Sequence, residues 1–170
     1  MADTPRIRTE RLQLLPVSEA MAWAAINDDR AELETLVGCA VPDSWPSDVA
    51  PILPMYANLL RDDPQELGWG PWLAVDPVLR SVVGDLGFKG RVTDGGVVEL
   101  GYGVLEQHRG RGYATEATHA LVHWALDQPG VMSVIAECEP DNVGSIRVLE
   151  KLGMERTGVS GQLLHWRLLR

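Results

Sequence analysis

The spacing of apolar residues divides the chain into strand-like and helix-like stretches. Ile7 to Val17 carries Leu12, Leu14 and Leu15 behind a charged opening and is stopped by Pro16, which predicts one strand. Ser18 is placed to cap a helix through Ala20, Met21, Ala24 and Ala25, broken at Asn27-Asp28-Asp29. A short helix over Ala31 to Val37 follows. Val41 to Pro54 holds Pro42, Pro46, Pro51, Pro54 and Trp45, and predicts a loop leading into a helix over roughly Val49 to Leu60.

Three strand signals come next: Trp72 to Val75, Ser81 to Lys89, and Val97 to Leu105, the last two joined by the turn signal Asp94-Gly95-Gly96. Ala114, Ala117, Thr118, Leu121 and Ala125 then share one helical face, ended by Pro129-Gly130. Val131 to Cys138 predicts a strand. Pro140-Asp141-Asn142 opens a helix with Ile146, Leu149 and Leu152 apolar, closed by Lys151 and Gly153. Met154 to Val159 and Leu163 to Leu169 predict a final hairpin. Hairpin-linked strands, then strand–helix–strand–helix, then a hairpin make a mixed α+β layout.

Composition narrows the function more than the fold. The chain has 170 residues, 45% apolar and 23% charged, which suits a single domain over residues 1–170. Its net charge of −9 and lack of a long basic run argue against a nucleic-acid partner. Cys39 and Cys138 lack metal-type spacing and are expected as free thiols. Met1 to Arg11 has no apolar core of signal-peptide length and no stretch approaches membrane-spanning length, so the expected location is cytoplasmic, away from membranes.

Against that acidic background, Gln107-His108-Arg109-Gly110-Arg111-Gly112-Tyr113-Ala114 is a cationic, glycine-bearing turn between a strand and a helix. Free backbone N–H groups converge at such a helix start, and its dipole favours an anion. Two glycines admit close approach of a phosphate. A dinucleotide loop is one alternative, since Gly110-x-Gly112-x-x-Thr115 follows a strand and Glu137 ends the next one. Thr115 stands where the third glycine belongs, and the turn follows hairpins rather than a first parallel strand.

The Gln107-x-x-Gly110-x-Gly112 spacing resembles the pyrophosphate loop of the GNAT superfamily of acyl-CoA-dependent N-acyltransferases. A second block, Asn142-Val143-Gly144-Ser145 followed by Glu150-Lys151-Leu152-Gly153-Met154, resembles that superfamily's later helix motif. The wording of this block, and Arg6-x-x-Thr9-Glu10-Arg11-Leu12, is similar to the branch that includes ribosomal-protein N-terminal acetyltransferases. The resemblance implies a central, mostly antiparallel twisted sheet of about seven strands flanked by helices. Acyl-CoA would lie at a splayed strand pair. It implies an N-acetyltransferase that uses acetyl-CoA, without a metal, on a small-molecule amine or a protein N-terminus. A homodimer fits this reading. The alternative is a non-catalytic acetyl-CoA-binding sensor or scaffold on the same fold.

Carried onto this sequence, the resemblance puts the pyrophosphate on backbone N–H groups of the Gln107–Ala114 turn: Arg109, Gly110, Arg111, Gly112, Tyr113 and Ala114. It puts an amide that polarises the thioester near Val104 or Leu105, and the cofactor arm against Asn142 and Ser145. Glu99 matches the glutamate that takes the amine's proton. Its apolar neighbours Val98, Leu100 and Tyr102 would raise its pKa. The family's tyrosine acid is replaced by Leu149, which leaves Ser145 to assist the departing thiolate. Trp45, Trp69 and Trp72 are either core or loop anchors or part of the acceptor pocket, for which Trp45, Trp72 and His165 are the candidates. His108 is expected to face solvent. His119 and His123 have metal-like spacing but no third ligand, and are expected at the surface.

Overall fold

A computed structural model describes residues 5–170, so Met1–Thr4, part of the stretch read above for a leader, lie outside the described residues. Eight strands form one sheet, where about seven were expected. The extra strand comes from the N-terminus. The stretch read as one strand turns back on itself as β1 (Ile7–Arg8) and β2 (Gln13–Pro16). Thr9 makes the turn: its Oγ1 accepts from the Leu12 N–H at 2.9 Å, and its own N–H donates to the Leu12 carbonyl at 2.9 Å. This is the local side-chain bonding that threonine offers in competition with an extended strand.

α1 (Glu19–Ile26) starts on Ser18, whose hydroxyl accepts from the Met21 N–H, and α2 (Arg30–Val37) ends on left-handed Gly38. α3 (Leu53–Asp62) begins after a single tight turn, with Pro51 and Pro54 at its start, where a proline's missing N–H costs nothing. β3 (Pro71–Asp76), β4 (Ser81–Phe88) and β5 (Val97–Val104) continue the antiparallel meander. α4 (Tyr113–Leu126) crosses over to β6 (Ser133–Cys138), which lies parallel to β5. α5 (Val143–Lys151) leads to β7 (Glu155–Ser160) and β8 (Leu163–Leu169), and the sheet order is β1-β2-β3-β4-β5-β6-β8-β7.

The sheet separates two apolar cores. One packs β3–β6 and β8 against α4 and α5, with Trp72, Leu121 and Leu149 fully buried. The other packs β2–β4 against α1, α2 and α3, around Trp45, Leu53 and Leu73. Each strand therefore presents alternate residues to different cores. In β5, Val98, Leu100, Tyr102 and Val104 belong to the α4 side.

Candidate active site

The site begins where the sheet comes apart. β5 and β6 pair from Val97↔Ser133 to Leu100↔Ala136 and no further. On its other edge β5 stays paired with β4: Lys89 N–H donates to the Glu99 carbonyl at 2.9 Å, and Leu105 N–H donates to the Val83 carbonyl at 2.9 Å. Backbone groups alternate between edges along a strand. The amides of Glu99, Gly101, Gly103 and Leu105 therefore turn to β4, and those of Tyr102 and Val104 turn to the gap. Of the two amides expected to meet a thioester, Leu105's is spent in the sheet and Val104's is directed at the gap. The Val104 carbonyl accepts from Arg109 Nε at 3.1 Å.

Next to the gap, α4 begins on Gly112, with φ of 79°, after Gly110, with φ of 75°. Both lie in the left-handed region that glycine enters freely. The amides of Gly110, Arg111, Gly112, Tyr113 and Ala114 have no acceptor among the described residues. The Arg109 amide, expected with them, donates instead to the Glu106 carbonyl at 3.2 Å. Tyr113 offers only its backbone, since its ring is buried and its hydroxyl donates to Asp76 Oδ2 at 2.5 Å. That bond is the main reason its pKa is raised. Gln107 is exposed in the short turn before the glycines.

Arg11 is the residue here that sequence reasoning missed. Its guanidinium binds Glu116 through Nε at 2.7 Å, donates to the Arg111 carbonyl at 2.8 Å, and lies 4.9 Å over the Tyr113 ring. Burial works to raise the Glu116 pKa, but hydrogen bonds from Thr9 and Arg11 hold it below the usual carboxylate range. The cationic edge of the α4 cradle thus comes from the first strand turn as well as from Arg111.

On the opposite face of β4 and β5 lies a cavity of about 470 Å³, within the range of small-molecule sites. Its floor includes Gly101 and Gly103, where a Cβ would meet nothing within 4 Å. Ser47, Asp48, Ile52 and Leu105 contribute to its walls. So does Asp85 of β4, only 8% exposed. Trp45 Nε1 donates to Asp85 Oδ2 at 2.9 Å, which leaves Oδ1 for the cavity. Burial pushes the Asp85 pKa up to about 6; the Trp45 bond opposes the shift and the charge of Asp48 adds to it.

The fold is shared with proteins of known class. The acetyltransferase (GNAT) domain model matches residues 11–155. The chain belongs to the GNAT acetyltransferase family. It is 32% identical over 161 residues to an uncharacterized N-acetyltransferase of Bacillus subtilis, YjdG, covering 94% of this chain and 95% of that one. Among solved structures, an acetyltransferase from Agrobacterium tumefaciens superposes with a TM-score of 0.67 at 25% identity, over 100% and 97% of the two chains. Mycobacterium smegmatis RimJ, solved with a CoA disulfide, superposes at 0.66 and 21% identity over 98% and 88%. This chain is an acyltransferase of that family.

Within this GNAT acetyltransferase the other expected residues separate. Glu99 is not isolated among apolar groups: it forms an ion pair with Lys89 and is not part of the cavity wall, whereas Lys89 is. Asn142 caps α5, its Oδ1 accepting from the Ser145 N–H at 3.0 Å. The Ser145 carbonyl accepts from the Tyr102 hydroxyl at 3.3 Å, across the gap. Leu149 is fully buried. Trp72 is a core anchor, its Nε1 donating to the Gly68 carbonyl at 2.9 Å, and Trp69 packs on Phe88 and Trp124. Trp45 is fully buried behind Asp85 rather than lining the cavity.

His165 stands apart, in a depression over β6, β7 and β8, with Nδ1 at 3.2 Å from Glu137. His108 is half-buried, its ring edge-on to Tyr113 rather than in solvent. His119 and His123 meet each other at the surface, with 3.3 Å between their Nε2 atoms.

Asp85 carries a stability cost that can be measured. Its native pKa of about 6 lies above the ordinary 3.8. As pH rises through 3.8 the unfolded chain loses this proton first, so native stability falls until pH passes about 6 and then levels off. Asp85→Asn keeps an oxygen for Trp45 and removes the charge. It is expected to stabilise the protein by about 1–3 kcal/mol at pH 8 and by little at pH 4. Thermal unfolding of both proteins at the two pH values checks this; an equal shift at both would mean that no buried charge is relieved.

Proposed function

We propose that this chain moves an acetyl group from acetyl-CoA to a primary amine by direct attack, as a one-domain enzyme of the cytoplasm. One observation carries the reading. The unpaired end of β5 opens toward the amide cradle of α4 on one side and adjoins the glycine-floored cavity on the other. A thioester laid along the gap would have its pyrophosphate at the free amides from Gly110 to Ala114 and its carbonyl oxygen at the Val104 N–H. Such an amide stabilises the developing oxyanion, and holding the two substrates together removes much of the remaining barrier. Asn142 and Ser145, on the far side of the gap, would border the pantetheine arm, and the Ser145 hydroxyl would hydrogen-bond the departing thiolate.

The attacking nitrogen must be neutral, and an alkylammonium is mostly protonated near neutral pH. β4 and β5 offer two carboxylates, Asp85 in the cavity wall and Glu99 outside it, paired with Lys89. Glu99 is the one that the family resemblance implies. The acceptor is a small amine or a protein N-terminus, the latter in keeping with neighbours described as acting on ribosomal proteins.

A non-catalytic acetyl-CoA sensor is the second reading, and the buried Leu149 in place of a phenolic acid favours it. Free thiol released from acetyl-CoA decides between them, measured with phenethylamine, putrescine and an alanine-initiated peptide as acceptors. Thiol release above the no-amine rate supports the enzyme. Tight acetyl-CoA binding with none supports the sensor.

A further inference from the structure

Within the proposed transfer reaction, we infer that the cavity beside β5 receives the acceptor as its ammonium ion, and that Asp85 is the group which holds that ammonium and takes its proton. Three observations converge on this residue. The first is position. Asp85 pairs with Gly103, the residue next to Val104. Paired α-carbons of adjacent strands are about 5.5 Å apart. Glu99, by contrast, is separated from Val104 by roughly 16 Å of strand at about 3.3 Å per residue. The nitrogen that attacks a thioester held at the Val104 amide is therefore closer to Asp85.

The second is the state of its two oxygens. Oδ2 is fixed by Trp45, whose own ring is buried, which leaves Oδ1 for the cavity. Glu99 already has a cation, Lys89. An open carboxylate oxygen in a largely apolar wall offers a group arriving from the cavity a charge-assisted hydrogen bond. The third is the space over Gly101 and Gly103. Nothing within 4 Å would obstruct a side chain there, so the glycines leave room that the fold itself does not use. Val49, Ile52 and Leu105 supply apolar walls. The acceptor class that fits is a primary amine on an apolar body.

The step balances without any further reactant. The ammonium passes a proton to Asp85 Oδ1, leaving a neutral amine and a carboxylic acid. The nitrogen lone pair forms the C–N bond at the thioester carbonyl carbon. The C–S bond breaks, and the nitrogen's second proton leaves with the thiolate as free CoA thiol. Asp85 then returns its proton to solvent. The other charged groups around the cavity are Asp48 on the loop before α3, Lys89 at the end of β4, and Glu106 and Arg109 after β5. Among them Asp48 is the one that pushes the Asp85 pKa further up.

The test uses phenethylamine as the probe, in two arms. In calorimetry on the protein saturated with CoA, phenethylammonium is expected to bind, and Asp85→Asn to weaken it about tenfold or more. In thiol-release kinetics, Asp85→Asn is expected to lower kcat/KM by roughly 10²-fold near pH 7, with the deficit shrinking as pH approaches the amine's own pKa. Glu99→Gln should lose less. Trp45→Phe, which removes the hydrogen bond but not the carboxylate, should move the acidic limb of the pH–rate profile upward. A wild-type protein that binds no phenethylammonium overturns the cavity assignment. An Asp85→Asn enzyme as active as wild type, or a pH-dependent deficit found in Glu99→Gln instead, overturns the role of Asp85. Binding that Asp85→Asn weakens, with no thiol release by the wild type, leaves Asp85 as the ammonium anchor and removes the transfer reaction itself, so the two failures are distinguishable.

Discussion

Gly112→Asp is expected to weaken acetyl-CoA binding by about 100-fold, a loss of about 2.7 kcal/mol. Two effects add. Position 112 has φ of 79°, a conformation that costs a residue with a Cβ about 1–2 kcal/mol. A carboxylate at the start of α4 also competes for the free amides, and Arg11 Nη2 lies 3.4 Å from where its Cβ would be. The variant would carry its own anion in the phosphate cradle. Gly112→Ala separates the contributions, since it keeps the strain and omits the charge. Calorimetry with acetyl-CoA reads both. Equal affinities for Gly112→Asp and wild type would move the pyrophosphate to another part of the chain.

Gly103→Val should have an effect of similar size on the other substrate. A β-branched residue suits an extended strand, and a Cβ here meets nothing within 4 Å. The variant is therefore expected to be slightly more stable, by about 0.5–1 kcal/mol, because an interior strand glycine is replaced. Its side chain would occupy the floor of the cavity opposite Asp85. We expect kcat/KM for the acceptor to fall by roughly 100-fold through KM, with acetyl-CoA affinity unchanged. Unfolding temperature, calorimetry and acceptor kinetics on one preparation give all three signs. Unchanged acceptor kinetics would place the amine elsewhere.

The proposed coenzyme A half of the site is legible in the sequence because it is local. The glycines, the helix they open and the cap at Asn142 all act within a few residues of one another. Even there, register decided which groups are available. The choice between the Val104 and Leu105 amides depends on which edge of β5 each one faces, and no spacing rule encodes where β6 stops pairing. The same holds for Arg109, whose amide is consumed by Glu106. Arg11 reaches the cradle across 100 positions, so its charge could be seen but not its destination.

The acceptor half was less legible. Side-chain type alone points to Trp45, Trp72 and His165, yet burial assigns Trp72 to the core and topology carries His165 to a different depression. Asp85 sits in an apolar strand, and its significance depends on an indole that approaches from the loop before α3. One signal was available. Gly101-Tyr102-Gly103 places two glycines on the same face of a strand, which weakens the strand unless something must approach its backbone. The glutamate at position 99 drew attention by its place in the motif, but the cation at Lys89 was not visible until β4 and β5 were paired.

The two apolar cores have a consequence for how such a protein diversifies. Substitutions in α1, α2, α3 and the proline-rich loop repack the core around Trp45 and Leu53, and so reshape the cavity proposed for the acceptor. The side proposed for the acyl carrier rests on the other core, across the sheet, with α4 and α5. Packing effects at distant sites without shared partners are close to additive. Selection can therefore try one amine pocket after another in the first third of the chain while the machinery that delivers the acyl group is inherited intact.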